Sequence, residues 1–221
     1  MTVLDYPGKI AATVFTGGCN FRCPYCHNAS LVFNAGAQEI AEEDFFGFLS
    51  KRKGLLDGVC ISGGEPLLQE GLDAFIAKIK AFGFLVKLDT NGSLPARLKE
   101  LVGSGLIDYV AMDIKNSPAG YAKTAGTTEK MLSQINESVA FLLNDPVEYE
   151  FRTTVVKELH IKEDFSEIGK WIQGAKRYFL QNFVDSGDVI QPGLHGFEKT
   201  ELEAFAQIVR DYVASVQIRD A

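Results

Sequence analysis

Three cysteines fall within one short stretch, Cys19-Asn-Phe-Arg-Cys23-Pro-Tyr-Cys26, at the spacing C-x3-C-x2-C. A closed structural zinc site takes four ligands, and a ferredoxin-type [4Fe–4S] site takes four cysteines. No fourth cysteine lies nearby. The remaining one, Cys60, sits in the apolar run Gly58-Val-Cys-Ile-Ser62, which reads as a buried strand where a cysteine serves as a small core hydrophobe. Three thiolates on four irons leave one iron open to an outside ligand, and an open coordination position turns a metal site into a catalytic one. The spacing therefore predicts chemistry rather than stapling. His27, directly after Cys26, reads either as a further ligand or as packing beside the site, and packing is the stronger reading.

A loop of this kind needs a frame, and the rest of the chain supplies one. Residues 9–16 (Ile10, Val14, Phe15) read as a first strand that ends at Gly17-Gly18, just before the cysteines. Residues 59–62, 84–89, 109–115, 147–156 and 178–181 read as further strands, and Val216–Arg219 as a closing one. Between them lie helical patterns. Phe45, Phe48 and Leu49 mark one, Leu72, Phe75, Ile76 and Ile79 a second, and residues 97–102 a third. Leu132, Ile135, Val139 and Leu142 mark the next, followed by residues 164–172 and then Leu202, Phe205, Val209 and Tyr212. This alternation implies βαβ units with parallel strands and right-handed crossovers. Eight such units would close a barrel; about six predict an α/β fold, a partial, open (β/α)6 barrel, with one domain over residues 1–221. Residues 186–196, rich in glycine, read as the longest loop.

In such folds active sites collect at the C-terminal ends of strands. The cysteine loop follows the first strand, Ser62-Gly-Gly-Glu-Pro66 the second and Asp89-Thr-Asn-Gly92 the third. Met112-Asp-Ile-Lys115 ends the fourth, and Arg152 lies on the fifth in Glu150-Phe-Arg-Thr-Thr154. Gly63 and Gly64 lack Cβ, so a ligand can approach the backbone there; a plain strand-to-helix turn capped by Glu65 fits the same residues. Asp89, Thr90 and Asn91 fit a turn and helix start as well as a binding loop. Asp113 and Lys115 alternate onto one face, as a ligand site or as a simple ion pair.

Composition narrows the function. Apolar residues make up 46% of the 221, enough for a sizeable core. The formal charge of −7 and the lack of a dense Lys/Arg run exclude nucleic acid as partner. No apolar run is long enough to span a bilayer, and Asp5 and Pro7 stand where a signal peptide needs its apolar segment. A cytoplasmic protein with no membrane partner is the expectation, and its four cysteines do not form a disulfide framework.

With these motifs in order, the chain resembles the radical S-adenosylmethionine (SAM) superfamily. It is similar above all to the activating enzymes of glycyl-radical proteins, the anaerobic ribonucleoside-triphosphate reductase activating proteins among them. The resemblance rests on Asp5-Tyr-Pro-Gly-Lys9, on the segment from Phe15 to Asn28 with Tyr25 before the third cysteine, on Gly63-Gly64-Glu65, on Leu88-Asp-Thr-Asn-Gly92 and on Met112-Asp-Ile-Lys115. It implies a [4Fe–4S] cluster on Cys19, Cys23 and Cys26, in a loop stiffened by Pro24, with S-adenosylmethionine on the open iron. It implies that Gly63, Gly64 and Glu65 receive the methionyl amino group, that Asp113 and Lys115 contact S-adenosylmethionine with Lys115 near its carboxylate, and that Arg152 is functional. From the pyruvate formate-lyase activating enzymes it further implies a monovalent cation held by Asp89, Thr90 and Met112 beside the methionyl carboxylate, and it counts Asn91 among the cofactor-binding residues. Those enzymes carry a histidine on strand six that contacts the nucleoside. Residues 178–183 here have none, and Gln181 is the nearest substitute. His160 and His195 have no evident partner.

Too few cysteines remain for an auxiliary cluster, which excludes activators that carry one. An open barrel suits a protein loop as substrate. The resemblance thus implies an enzyme that installs a glycyl radical in a partner, foremost an anaerobic ribonucleotide reductase, fed by a low-potential electron donor such as flavodoxin or ferredoxin. The rivals are a small-molecule enzyme of the same superfamily, such as a 7-carboxy-7-deazaguanine synthase, and a non-catalytic zinc or iron–sulfur binding module.

Overall fold

The structure, a computed structural model, describes residues 2, 5–33, 39–185 and 187–219. In chain order the elements are β1 (Ala11–Thr16), α1 (Ala29–Val32), α2 (Glu42–Ser50), β2 (Gly58–Gly63), α3 (Leu72–Ala81), β3 (Leu85–Thr90), α4 (Pro95–Gly103) and β4 (Tyr109–Asp113). They continue with α5 (Tyr121–Ala125), α6 (Leu132–Leu143), β5 (Glu148–Val155), α7 (Lys162–Trp171), β6 (Tyr178–Asn182), α8 (Lys199–Val209) and β7 (Val216–Arg219). The seven strands form one parallel sheet in the order of the sequence, each paired with the next. Nothing pairs β1 with β7, so the sheet stays unclosed among the described residues. The six expected units are therefore present, and residues 216–219 add a seventh strand.

Strand residues two apart share a face, and this periodicity sorts the sheet into two sides. Val59 and Ile61 of β2, Val86 and Leu88 of β3, Val110 and Met112 of β4, and Phe151 of β5 are buried in the main core. Against them pack the apolar stripes of the helices: Ile76 and Ile79, Leu98 and Leu101, Ile135 and Val139, Phe165 and Ile168, Leu202 and Phe205. The alternate residues carry polar groups instead: Cys60 and Ser62, Lys87 and Asp89, Asp113, Glu150, Arg152, Thr154 and Gln181. β4 ends at Asp113, two residues short of the sequence expectation. The carbonyl of Lys115 bonds to the His160 ring at 2.9 Å instead of extending the strand ladder. No helix among the described residues is long and apolar enough to cross a membrane.

Candidate active site

The cysteine loop is tied down on three sides. Gly18 N–H donates to Leu31 O (2.8 Å), Arg22 N–H to Ala125 O (3.0 Å), and Gln191 N–H to Pro24 O (2.8 Å). Inside the loop Cys26 N–H donates to Cys23 O (3.0 Å). The loops after β1 and β2 are stitched together: Gly64 N–H donates to Thr16 O and Glu65 N–H to Gly18 O, both at 2.9 Å, and Gln69 Nε2 to Gly17 O at 2.7 Å. That stitching leaves no room at Gly64, where a Cβ would come within 1.9 Å of Gly18 O.

Behind this loop runs a chain of alternating charges across β3, β4 and β5. Lys87 Nζ sits on Asp89 Oδ1. Asp89 Oδ2 accepts from Ser62 Oγ (3.0 Å) and Arg152 Nη1 (3.3 Å). Arg152 Nε reaches Asp113 Oδ1 (3.0 Å), and Lys115 Nζ reaches Asp113 Oδ2 (2.9 Å). Burial alone would raise the Asp113 carboxyl, but the Arg152 and Lys115 charges outweigh it and bring it down to about 2. Asp89 is lowered in the same way by Arg152 and Lys87. Three cations share two carboxylates, so the chain carries one surplus positive charge. Among the described residues Lys115, at its end, has only the carboxylate that Arg152 also uses.

Cys19, Cys23, Cys26, Tyr25, Gly63, Gly64, Asp89, Thr90, Asn91, Asp113, Lys115, Arg152 and Gln181 all line one cavity of about 370 Å³. Two expected site residues stand apart from its wall. Glu65 is buried, accepting from Leu67 N (3.1 Å), Thr90 Oγ1 (2.8 Å) and Asn91 N (2.7 Å). It joins the β2 loop to the β3 loop and also caps the turn after it, and burial pushes its carboxyl up to about 7 against those donors. Met112 belongs to the core face, beneath Gly92. Cys60 is fully buried on β2, as its strand setting predicts. His27 lines the cavity and packs on the Phe183 ring.

The structure also supplies residues that sequence reasoning passed over. Ser62 and Thr154 line the cavity, and Lys87 lies under it. The alternation of Lys87 with Asp89 was a usable signal, since residues two apart on a strand share a face. Asn91 Nδ2 donates to Asn20 Oδ1 (2.9 Å) and lies 3.9 Å from Cys19 Sγ. His160, with its proton on Nε2, donates to Lys115 O and accepts from Val156 N–H at Nδ1 (3.1 Å). Burial lowers its pKa and keeps it neutral. His195 pairs with Glu158 at 2.8 Å, outside the cavity.

A cluster-bound S-adenosylmethionine fits these residues. The three cysteines line one cavity. The buried Tyr25 hydroxyl, on the same wall, has no hydrogen-bond partner among the described residues. Lys115, whose Asp113 partner is shared with Arg152, is the cation placed to draw a carboxylate, and Asp5 balances the remaining charge of the wall. Burial raises the Cys23 thiol to about 12, so metal loading must displace its proton.

Comparison with known proteins agrees. Residues 13–136 match the family model of the radical SAM superfamily. A Methanocaldococcus jannaschii protein, provisionally named a glycyl-radical enzyme activating enzyme, is 34% identical over 99% of this chain and 92% of its own length. The pyruvate formate-lyase-activating enzyme of Clostridium pasteurianum is 36% identical over 52% of this chain and 50% of its own. The crystal structure of Streptococcus suis SuiB bound to the precursor peptide SuiA superposes with a TM-score of 0.73 at 14% identity, over 96% of this chain and 48% of SuiB. The chain thus spans nearly all of the first relative and about half of the other two.

Proposed function

The chain belongs to the radical SAM superfamily, and we propose that it is the activase of a glycyl-radical protein, namely an anaerobic ribonucleoside-triphosphate reductase. The observation that carries this reading is the meeting, in one cavity, of three cysteine thiols and an ion-pair chain with a surplus positive end. Its enzymes use a [4Fe–4S] cluster with S-adenosylmethionine, which on reduction supplies methionine and a 5′-deoxyadenosyl radical. Cys19, Cys23 and Cys26 hold the cluster here. Lys115 draws the carboxylate of S-adenosylmethionine, because its own partner Asp113 is already shared with Arg152. Arg152 in turn keeps Asp113 and Asp89 ionised and in place. Gly63 and Gly64 line the cavity and, for want of a Cβ, let the β2 loop close on Thr16 and Gly18 at the base of the cysteine loop, and Tyr25 offers its hydroxyl. Glu65 acts at one remove, holding the β2 and β3 loops in register.

The end-to-end similarity to a protein named for glycyl-radical activation supports a protein partner. So does the unclosed sheet, since a loop can enter beside an edge strand whereas a small molecule needs a pocket that buries most of its surface. A low-potential donor such as flavodoxin or ferredoxin supplies the electron. The test mixes the reduced, cluster-loaded protein with S-adenosylmethionine and an anaerobic ribonucleotide reductase, followed by electron paramagnetic resonance. A glycyl doublet on the reductase is expected, and its loss when the radical glycine is replaced by alanine. No doublet on any glycyl-radical protein, with efficient turnover of a small molecule instead, would move the chain to the small-molecule enzymes.

A further inference from the structure

The resemblance implies a monovalent cation on Asp89, Thr90 and Met112, and these three residues do not offer it a site. Asp89 Oδ1 is taken by the Lys87 ammonium, and its Oδ2 by Ser62 Oγ and Arg152. Thr90 is 2% exposed; its Oγ1 donates to Glu65 and accepts from Gly92 N–H at 3.1 Å. Met112 is wholly buried, and a Cβ on Gly92 would fall 2.1 Å from its Cε, so the thioether is packed beneath the Gly92 backbone. Each of these side-chain donors is engaged by the chain itself.

What stands at that carboxylate is Lys87, two residues before Asp89 on β3 and 1% exposed. Among the described residues its other polar neighbour is the Cys60 thiol, at 3.8 Å. A lysine so deep in the sheet needs a fixed counter-charge, and Asp89 is it. A further cation on Asp89 would meet like charge from both Lys87 and Arg152, where little water screens it. We infer that the Lys87 ammonium is a built-in cation that replaces an exchangeable sodium or potassium ion, so that S-adenosylmethionine binds this chain independently of monovalent salt. Lys87 acts through Asp89 and is a positioning residue.

The inference rests on the reading that this cavity binds S-adenosylmethionine, and one experiment separates the two. The anaerobically reconstituted protein is titrated with S-adenosylmethionine calorimetrically, in potassium, sodium and tetramethylammonium chloride at equal ionic strength. The dissociation constant is expected to agree across the three salts within about twofold. Binding that weakens about tenfold or more in tetramethylammonium would overturn the inference and leave the binding reading intact. No binding in any salt would overturn the binding reading itself. Lys87→Arg keeps the charge and should remain indifferent to the salt. Lys87→Gln removes it, and should bind about tenfold more weakly in tetramethylammonium, with part of the loss restored by potassium. Wild-type behaviour of Lys87→Gln in every salt would show that the charge has no such role. Should that variant fail to fold, the wild-type salt series and Lys87→Arg still decide.

Discussion

Asp113 stands between two cations, Arg152 and Lys115, and its titration is set by them. Burial pushes its carboxyl up; the paired charges win and bring it from the ordinary 3.8 to about 2. The folded value lies below the unfolded one, so between them the unfolded chain holds more protons and stability rises with pH. The stabilisation is complete above about pH 4 and is lost as the pH falls through about 2. By the usual conversion the gap corresponds to on the order of 2 kcal/mol. Asp113→Asn should lower the stability of the cluster-free protein near neutrality by at least that order, because Arg152 and Lys115 lose a counter-charge. It should also flatten the acid limb of a plot of melting temperature against pH. An acid limb of unchanged slope would mean that Asp113 is not held ionised in the folded chain. Little of this was visible beforehand. Asp113 and Lys115 were placed on one face by their spacing, but the partnership with Arg152 depends on the register of β4 against β5, which pairs Asp113 with Arg152 and which a single sequence does not display.

At the scale of elements, the loops after β1 and β2 behave as one unit. Backbone bonds from Gly64 and Glu65 to Thr16 and Gly18 clamp the base of the cysteine loop against the β2 loop. Gly64 is needed there for space, since its Cβ would overlap the Gly18 carbonyl. Gly64→Ala should force the two loops apart and cost roughly 1–3 kcal/mol as an overpacked contact. Iron retained after anaerobic reconstitution should drop, and the melting temperature of the cluster-free chain with it. Full iron content in Gly64→Ala would show that the clamp does not position the cysteines. These loops were the most legible part of the sequence, because C-x3-C-x2-C and Ser62-Gly-Gly-Glu-Pro66 are contiguous and their spacing is covalent. The helices were legible too, through the stripes at Leu72, Phe75, Ile76 and Ile79 and at Leu132, Ile135, Val139 and Leu142. Glu65 was harder to place. Its ends-of-strand position suits a ligand contact, yet its oxygens face Thr90 and Asn91 of the next loop. Contacts between loops of different strands exist only once the sheet has assembled.

An unclosed sheet has two edges to hold, and the last strand is the shortest of the seven. Among the described residues β7 is paired along one side only, through residues 216–219 against β6. A second tie crosses β6 altogether. Arg219 lies over the Phe179 ring at 3.5 Å and reaches Glu150 on β5, both of its terminal nitrogens bonding the carboxylate at 2.9 Å. Glu150 is fully buried and also accepts from Tyr109 Oη at 2.9 Å. Glu150 lies two residues before Arg152 on β5, and Lys87 two before Asp89 on β3, so a second charged tier underlies the first. A buried carboxylate that loses its only bidentate partner retains its desolvation penalty. Removing one member of such a pair costs about 3–5 kcal/mol, whereas replacing both by apolar residues is often neutral. Arg219→Met should therefore destabilise the chain by that amount and shift its urea midpoint downwards, with β7 the first region to lose amide protection in hydrogen exchange. The double replacement Glu150→Met with Arg219→Met should recover most of the loss, because no charge is then left buried without a partner. If the double variant proved as unstable as the sum of the two single ones, the tie would act through packing on Phe179 rather than through the ion pair, and β7 would be held by the cation–aromatic contact alone.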